Sequence, residues 1–264
     1  MVDTHCHLNF SVFNKNLEAI VNKARVVGVN QIVVPSTNLN DAYQAVAIAQ
    51  RYPEVYAAVG IHPLSLLSVG AEFILPIDEL KRLLTEPKVV AVGEVGLDRK
   101  ENPTSDIFCC QKISLKTQIN LAVSYNKSLI LHSRQGSKEL LKLLRANWNK
   151  NLAGRAVFHC CESETALLAF AKKHHIYLGV DGDVTFSPVK QHFLKLVPLE
   201  LLVLETDSPF LLPEPLRAKK LYPNEPANLI FIAKKVAEIL NLTLTKVIKT
   251  TTINAYRLFN LPKD

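Results

Sequence analysis

The sequence predicts a (β/α)8 TIM barrel of the α/β class, with residues 1–264 forming a single domain. Three observations lead there. Eight short apolar runs rich in β-branched residues recur along the chain, stretches with helical period separate them, and no Gly/Ser linker or composition break divides the series. Near-continuous apolar runs suit strands buried on both faces, and their alternation with helices suits a parallel sheet. A doubly wound open sheet is the alternative arrangement. Eight repeats without a boundary favour the closed barrel, which takes about 250 residues in its common form.

The first strand is expected within residues 2–8. The other seven follow at 31–34, 55–59, 89–92, 128–131, 156–158, 176–180 and 201–204. Between them Leu17, Ile20, Val21 and Ala24 are spaced i, i+3, i+4, i+7, the apolar stripe of a helix. Ile113, Ile119, Leu121 and Ala122 mark a second helix, and Leu140, Leu141 and Leu144 a third. Residues 227–259 read as two helices broken near Asn241.

Composition removes other classes. With 48% hydrophobic and 21% charged residues the chain is neither disordered nor a disulfide scaffold. No apolar run approaches the ~18–20 residues that span a bilayer. The opening Met1-Val2-Asp3-Thr4-His5 lacks the basic and apolar regions of a signal peptide, so a cytoplasmic protein without a membrane partner is expected. Five cysteines, four of them in the doublets Cys109-Cys110 and Cys160-Cys161, read as buried reduced thiols. The net charge of +7 permits a polyanionic partner, although scattered Lys and Arg also suit a solvated surface. No apolar interface stands out, and a monomer is expected.

The chemistry lies where apolar runs end. His5 and His7 are two apart on the first strand, so they leave one face. Glu94, His132 and His159 follow their runs directly or within a residue, Asp207 follows the eighth closely, and His62 ends the third. All stand at the C-terminal ends of barrel strands, the face where barrel active sites are built. A lone histidine there is ordinarily a packed structural residue. Even with His62 left aside, four imidazoles and two carboxylates converging on one end are too costly as an empty cluster, because buried carboxylates need a cation or close partners. His174, His175 and His192 fall away from that end and read as surface or packing residues. The six groups exceed the three protein ligands of a typical single catalytic zinc. Two divalent ions sharing Glu94 as a bridge would use them all, with His5 and His7 expected opposite His132 and His159 across the mouth. Mixed N/O ligation suits Zn, Mn or Co and tolerates Mg.

These residues sit in an ordered series of blocks: VDTHCHL at 2–8, VGIHP at 59–63, GEVGLD at 93–98, LHSR at 131–134, FHC at 158–160, ETDSP at 205–209, NEPAN at 224–228 and TT-x-NA-x-x-LF at 251–259. The series resembles the TatD family of metal-dependent hydrolases, within the amidohydrolase-like barrels. The resemblance implies a hydrolase whose best-known activity is deoxyribonuclease. It also implies His5, His7, Glu94, His132, His159 and Asp207 as metal ligands and His62 and Arg134 as pocket residues, with Glu205 turned to the same side to orient the site. After His159 the family usually carries an aromatic residue and a Ser/Thr-Gly pair, whereas here the chain reads Cys160-Cys161-Glu162-Ser163. With Asp181-Gly182-Asp183, that departure is expected to make the rim more acidic.

The expected reaction is hydrolysis of DNA phosphodiesters by a water that two metals activate. Asp207 is the candidate general base, and Asp3 is expected to play a supporting part. The alternative is a smaller ester or amide, such as an aminoacyl ester on tRNA or a small metabolite. A non-catalytic metal-binding or nucleic-acid-binding protein is a third reading. The loop 211–227 carries Arg217, Lys219 and Lys220 after the eighth strand, where barrels often bind phosphate.

Overall fold

The computed structural model describes residues 1–66, 75–100 and 103–262. Eight strands form one sheet in sequence order: β1 (Val2–Asp3), β2 (Gln31–Pro35), β3 (Val55–Val59), β4 (Val89–Asp98), β5 (Ser128–Arg134), β6 (Ala156–Phe158), β7 (Tyr177–Val180) and β8 (Leu202–Leu204). Every neighbouring pair is parallel. The sheet closes between its ends by backbone bonds from Thr4 to Leu204 (3.1 Å), Asp207 to His5 (2.9 Å) and His7 to Ser208 (2.8 Å). The closing seam thus carries two histidines and a carboxylate predicted to bind metal.

The helices alternate with the strands. They are α1 (Leu17–Val26), α2 (Leu39–Arg51), α3 (Ile77–Leu84), α4 (Ser105–Ser124), α5 (Ser137–Asn147), α6 (Thr165–His174), α7 (Pro188–Leu194), α8 (Leu229–Leu240) and α9 (Leu244–Phe259). Asn241 breaks the last pair in the left-handed conformation at φ 52°, a geometry Asn tolerates better than most side chains. No helix among the described residues is long and apolar enough to cross a membrane.

Two apolar layers hold this frame. The larger packs the helices on the outside of the sheet. The smaller fills the barrel with Val2, Val33, Tyr56, Ala58, Ala91, Ile130, Val157, Tyr177 and Val203, and Leu258 and Phe259 of α9 join it. The α9 helix is fastened there: Asn254 Nδ2 donates to the carbonyls of Leu199 (3.0 Å) and Leu202 (2.8 Å), and Ser128 Oγ donates to Leu258 O (2.5 Å). Strand side chains alternate with period two. His132, His159 and Glu205 therefore lie one step above the interior residues Ile130, Val157 and Val203, and His62 two steps above Ala58.

Strand boundaries differ from the sequence reading in both directions. β1 ends at Asp3, because the residues after it bond across the seam. β4 and β5 instead run on through Glu94 and His132 to Asp98 and Arg134, paired as Gly96 with His132 and Asp98 with Arg134.

Candidate metal centre

Glu94 reaches the mouth through an irregularity. Ala91 points into the barrel, so a regular strand would turn Gly93 inward and Glu94 outward. The β4–β5 register shifts between Val92 and Val95, and Glu94 N donates to Ser36 O (3.0 Å) instead. A bulge of this kind re-aims one side chain. Glycine is required beside it, since a Cβ at Gly93 would lie 2.6 Å from Ile130 Cβ.

Around Glu94 the polar atoms draw together. His5 Nε2 lies 3.2 Å from His7 Nε2, 3.3 Å from Glu94 Oε2 and 3.7 Å from Asp207 Oδ1. His7 Nε2 lies 3.8 Å from Glu94 Oε2 and 3.5 Å from Asp207 Oδ1. Four ligand atoms held at about 2.1 Å from a tetrahedral ion are spaced by about 3.4 Å. The cage matches that spacing, and two imidazole nitrogens face two carboxylates in it, so the donor set fits a divalent ion. The other Glu94 oxygen, Oε1, faces His132 Nδ1 (2.7 Å), His62 Nε2 (3.4 Å) and His159 Nε2 (3.7 Å). Glu94 thus presents one oxygen to each of two groups able to hold a metal.

The charges of these groups depend on one another. Burial opposes ionisation of Glu94, but His62, His5 and His159 outweigh it and hold the carboxyl well below its ordinary range. Burial likewise opposes ionisation of Asp207, and the His7 hydrogen bond and nearby imidazoles keep it low. Burial lowers His5 and His62. It also works against protonation of His132 and His159, yet Asp98 and Glu94 push the former up to about 9, and Glu205 and Glu94 the latter up to about 10.

A supporting layer fixes the ring orientations. Glu205 Oε1 accepts from Cys160 N (2.6 Å) and contacts His159 Nδ1 at 2.9 Å, leaving Nε2 to face Glu94. Asp3, fully buried, accepts from Thr206 N (3.0 Å), Thr206 Oγ1 (2.6 Å) and His5 N (3.3 Å), bracing the seam beneath the cage. Asp98 Oδ2 contacts His132 Nε2 at 3.0 Å. Asp98 was not singled out from the sequence. Its signal was present in its place four residues after Glu94 on the same apolar run.

The family profile described as TatD related DNase matches residues 2–260. The chain belongs to the TatD family. It is 32% identical over 264 residues to the metal-dependent hydrolase YabD of Bacillus subtilis (strain 168), covering 99% of each. Identity to the 3'-5' ssDNA/RNA exonuclease TatD of Escherichia coli (strain K12) is 31% over 267 residues, again 99% of each. The crystal structure of YJJV, the TatD homologue from Escherichia coli K12, superposes with a TM-score of 0.88 at 29% identity, covering 99% of this chain and 98% of that one.

Within this TatD barrel three expectations are corrected. His159 does not sit with His132 across the mouth from His5: its ring stacks on His5, with centroids 3.4 Å apart. The 181–183 segment is not a bare acidic rim. Asp181 is buried, Lys190 Nζ lies 3.3 Å from Asp183 Oδ2 and 3.9 Å from Asp181 Oδ2, and the same amine donates to Cys161 O (2.7 Å). The cysteines are not uniformly buried, for Cys109 is exposed on α4. Glu162 is partly buried and tethered, accepting from Ser133 Oγ (2.9 Å) and Gln135 N (2.6 Å), so it ties the loop after β6 to the end of β5.

Arg134 stands exposed at that strand end, and among the described residues its guanidinium has no partner. In the loop after β8, Arg217 pairs with Glu214 and lies over Phe186, while Lys219 and Lys220 are exposed. His174 packs against Phe170 and Trp148 on the outer face, away from the centre.

Proposed function

We propose that this protein is a nuclease that removes nucleotides from single-stranded DNA or RNA at the 3' end, using two divalent ions of the Mg, Mn or Zn type. The observation that carries the reading is Glu94, whose two oxygens face two adjoining sets of polar side chains. His5, His7, Glu94 and Asp207 would hold one ion, and Glu94, His132 and His159 the other, with His62 beside them. Divalent ions in such a site polarise a phosphoryl oxygen and acidify a water.

The chain's own groups do the rest. Asp207 has the most open side chain of the first set, 14% exposed against 0% and 4% for His5 and His7. Its low-lying carboxyl is ionised at neutral pH and is the least covered of the set, so it serves as the general base. His62 and the exposed Arg134 guanidinium contact the anionic phosphate. Glu205 acts through His159, fixing the ring. The substrate class follows the name of the Escherichia coli relative at 31% identity. We read the protein as a cytoplasmic single-domain monomer whose five cysteines are free.

The test is a hydrolase panel with Mg, Mn and Zn on single-stranded DNA, RNA, duplex DNA, aminoacyl-tRNA and a generic phosphodiester. Stepwise shortening of single strands from the 3' end supports the reading. Release of amino acids from tRNA with DNA and RNA left intact overturns it in favour of a smaller ester.

A further inference from the structure

We propose that Phe210, backed by Phe10, is the stacking platform for the base of the terminal nucleotide, and that it selects unpaired ends without reading their sequence. This rests on the nuclease reading above and adds to it the feature that holds the end of the strand.

The observation is a chain of rings leading out of the metal cage. Phe10 stacks on the ring of His7, with centroids 4.5 Å apart and planes 20° from parallel. Phe210 meets Phe10 edge-on at 6.0 Å and His7 at 6.3 Å. Phe10 and His7 are largely covered, but Phe210 is 51% exposed. A single exposed apolar side chain on a surface is ordinary. This one is the outermost ring of a stack that begins on a metal ligand.

Its backbone is held on both sides. Phe210 N donates to Asp207 O (2.8 Å), and Asn224 Nδ2 donates to Phe210 O (2.8 Å) and Thr206 O (3.0 Å). Asn224 N in turn donates to Pro209 O (3.0 Å). The ring therefore sits on a segment tied to the same turn as Asp207, and a base resting on it is placed beside the reacting phosphate.

Aromatic stacking suits every base because each has a π face, so the platform is sequence-tolerant. A paired end must first give up its partner, which costs a few kcal/mol and favours single strands. One ring offers room for one base. The rest of the strand follows Arg134 toward an adjoining open groove of about 630 Å³ lined by Phe108, Lys112, Gln135 and Arg99, the last of which also pairs with Glu139 at 3.0 Å.

The test compares two oligothymidylates, one ending in adenosine at its 3' end and one ending in an abasic residue, digested by the metal-loaded enzyme and by Phe210→Ala and Phe210→Trp. With wild type, the abasic end is expected to lower kcat/KM for the first cut by about 5- to 150-fold. In Phe210→Ala the two substrates converge to within about twofold, and in Phe210→Trp the gap persists. A gap that survives in Phe210→Ala, or no gap in wild type, overturns the platform while leaving the nuclease reading standing. Failure of wild type to cut either strand overturns the nuclease reading and the platform with it.

Discussion

The ring of His159 lies flat against the ring of His5, centroids 3.4 Å apart and planes 13° from parallel. The two proposed ligand sets around Glu94 are therefore not independent, because a residue of one is packed on a residue of the other. His132 has no such contact with the cage; its neighbours are His62, Glu94 and Asp98.

Removing the two histidines should consequently have unequal effects. His132→Ala is expected to lose one ion and keep the other on His5, His7 and Asp207. His159→Ala removes a ligand and also the surface that holds His5, so both ions should bind more weakly. Elemental analysis of the purified variants checks this. One retained ion in each variant, at equal affinity, would remove the coupling.

Glu205 can be disturbed without altering its charge. A Cβ on Gly179 would lie 2.2 Å from Glu205 Oε1 and 2.4 Å from its Cδ. Gly179→Ala should push the carboxylate away from His159 and lower metal affinity by about 10- to 100-fold, the usual effect of disturbing a group that orients a ligand. Metal titration is the measurement. Unchanged affinity would mean that Glu205 does not position His159.

Much of this arrangement was legible in the sequence. Each of His132 and His159 follows an apolar run, and a period of two places it above an interior residue such as Ile130 or Val157. Glu94 was found for the wrong geometric reason, since a regular strand would have turned it outward and only the bulge at Gly93 brings it in. Such a local break leaves no periodic trace beyond the glycine itself. The stacking of His159 on His5 and the pairing of Lys190 with Asp181 and Asp183 join distant segments. Neither has a signature in spacing, so the sequence shows which polar residues end their strands at the mouth but not how they pack on one another.

Acid should compete with metal. In the metal-free protein the pKa values of about 9 for His132 and about 10 for His159 leave both rings protonated at pH 7. A coordinating imidazole must be neutral, so binding displaces those protons and affinity rises as pH increases toward 9–10. Calorimetry in two buffers of different ionisation enthalpy should show net proton release at pH 7. Binding that is independent of pH between 6 and 9 would contradict the raised values.

Asp3 braces the seam rather than the reaction. Asp3→Ala leaves the buried Thr206 N–H, Thr206 hydroxyl and His5 N–H without their acceptor, at about 1–3 kcal/mol each. Taken at the low end of that range, the three together come to about 3 kcal/mol and should lower the melting midpoint by roughly 6–12 °C for a chain of this size. Thermal unfolding followed by circular dichroism measures it, and a shift under about 2 °C would show that the seam does not depend on this carboxylate.

Asp207→Asn separates metal binding from proton transfer at the centre. Asp207 adopts φ 50°, and Asn is among the few residues that accept that conformation, so the backbone is expected to hold. The measurement is turnover of a 5'-labelled single-stranded oligonucleotide at saturating Mn, alongside bound metal. Wild type should release nucleotides one at a time, while Asp207→Asn should keep appreciable metal and lose ~10²-fold or more in turnover, the usual worth of a positioned proton acceptor. Normal turnover by Asp207→Asn at saturating metal would contradict its role as the base, and no release by wild type with Mg, Mn or Zn would contradict the nuclease itself.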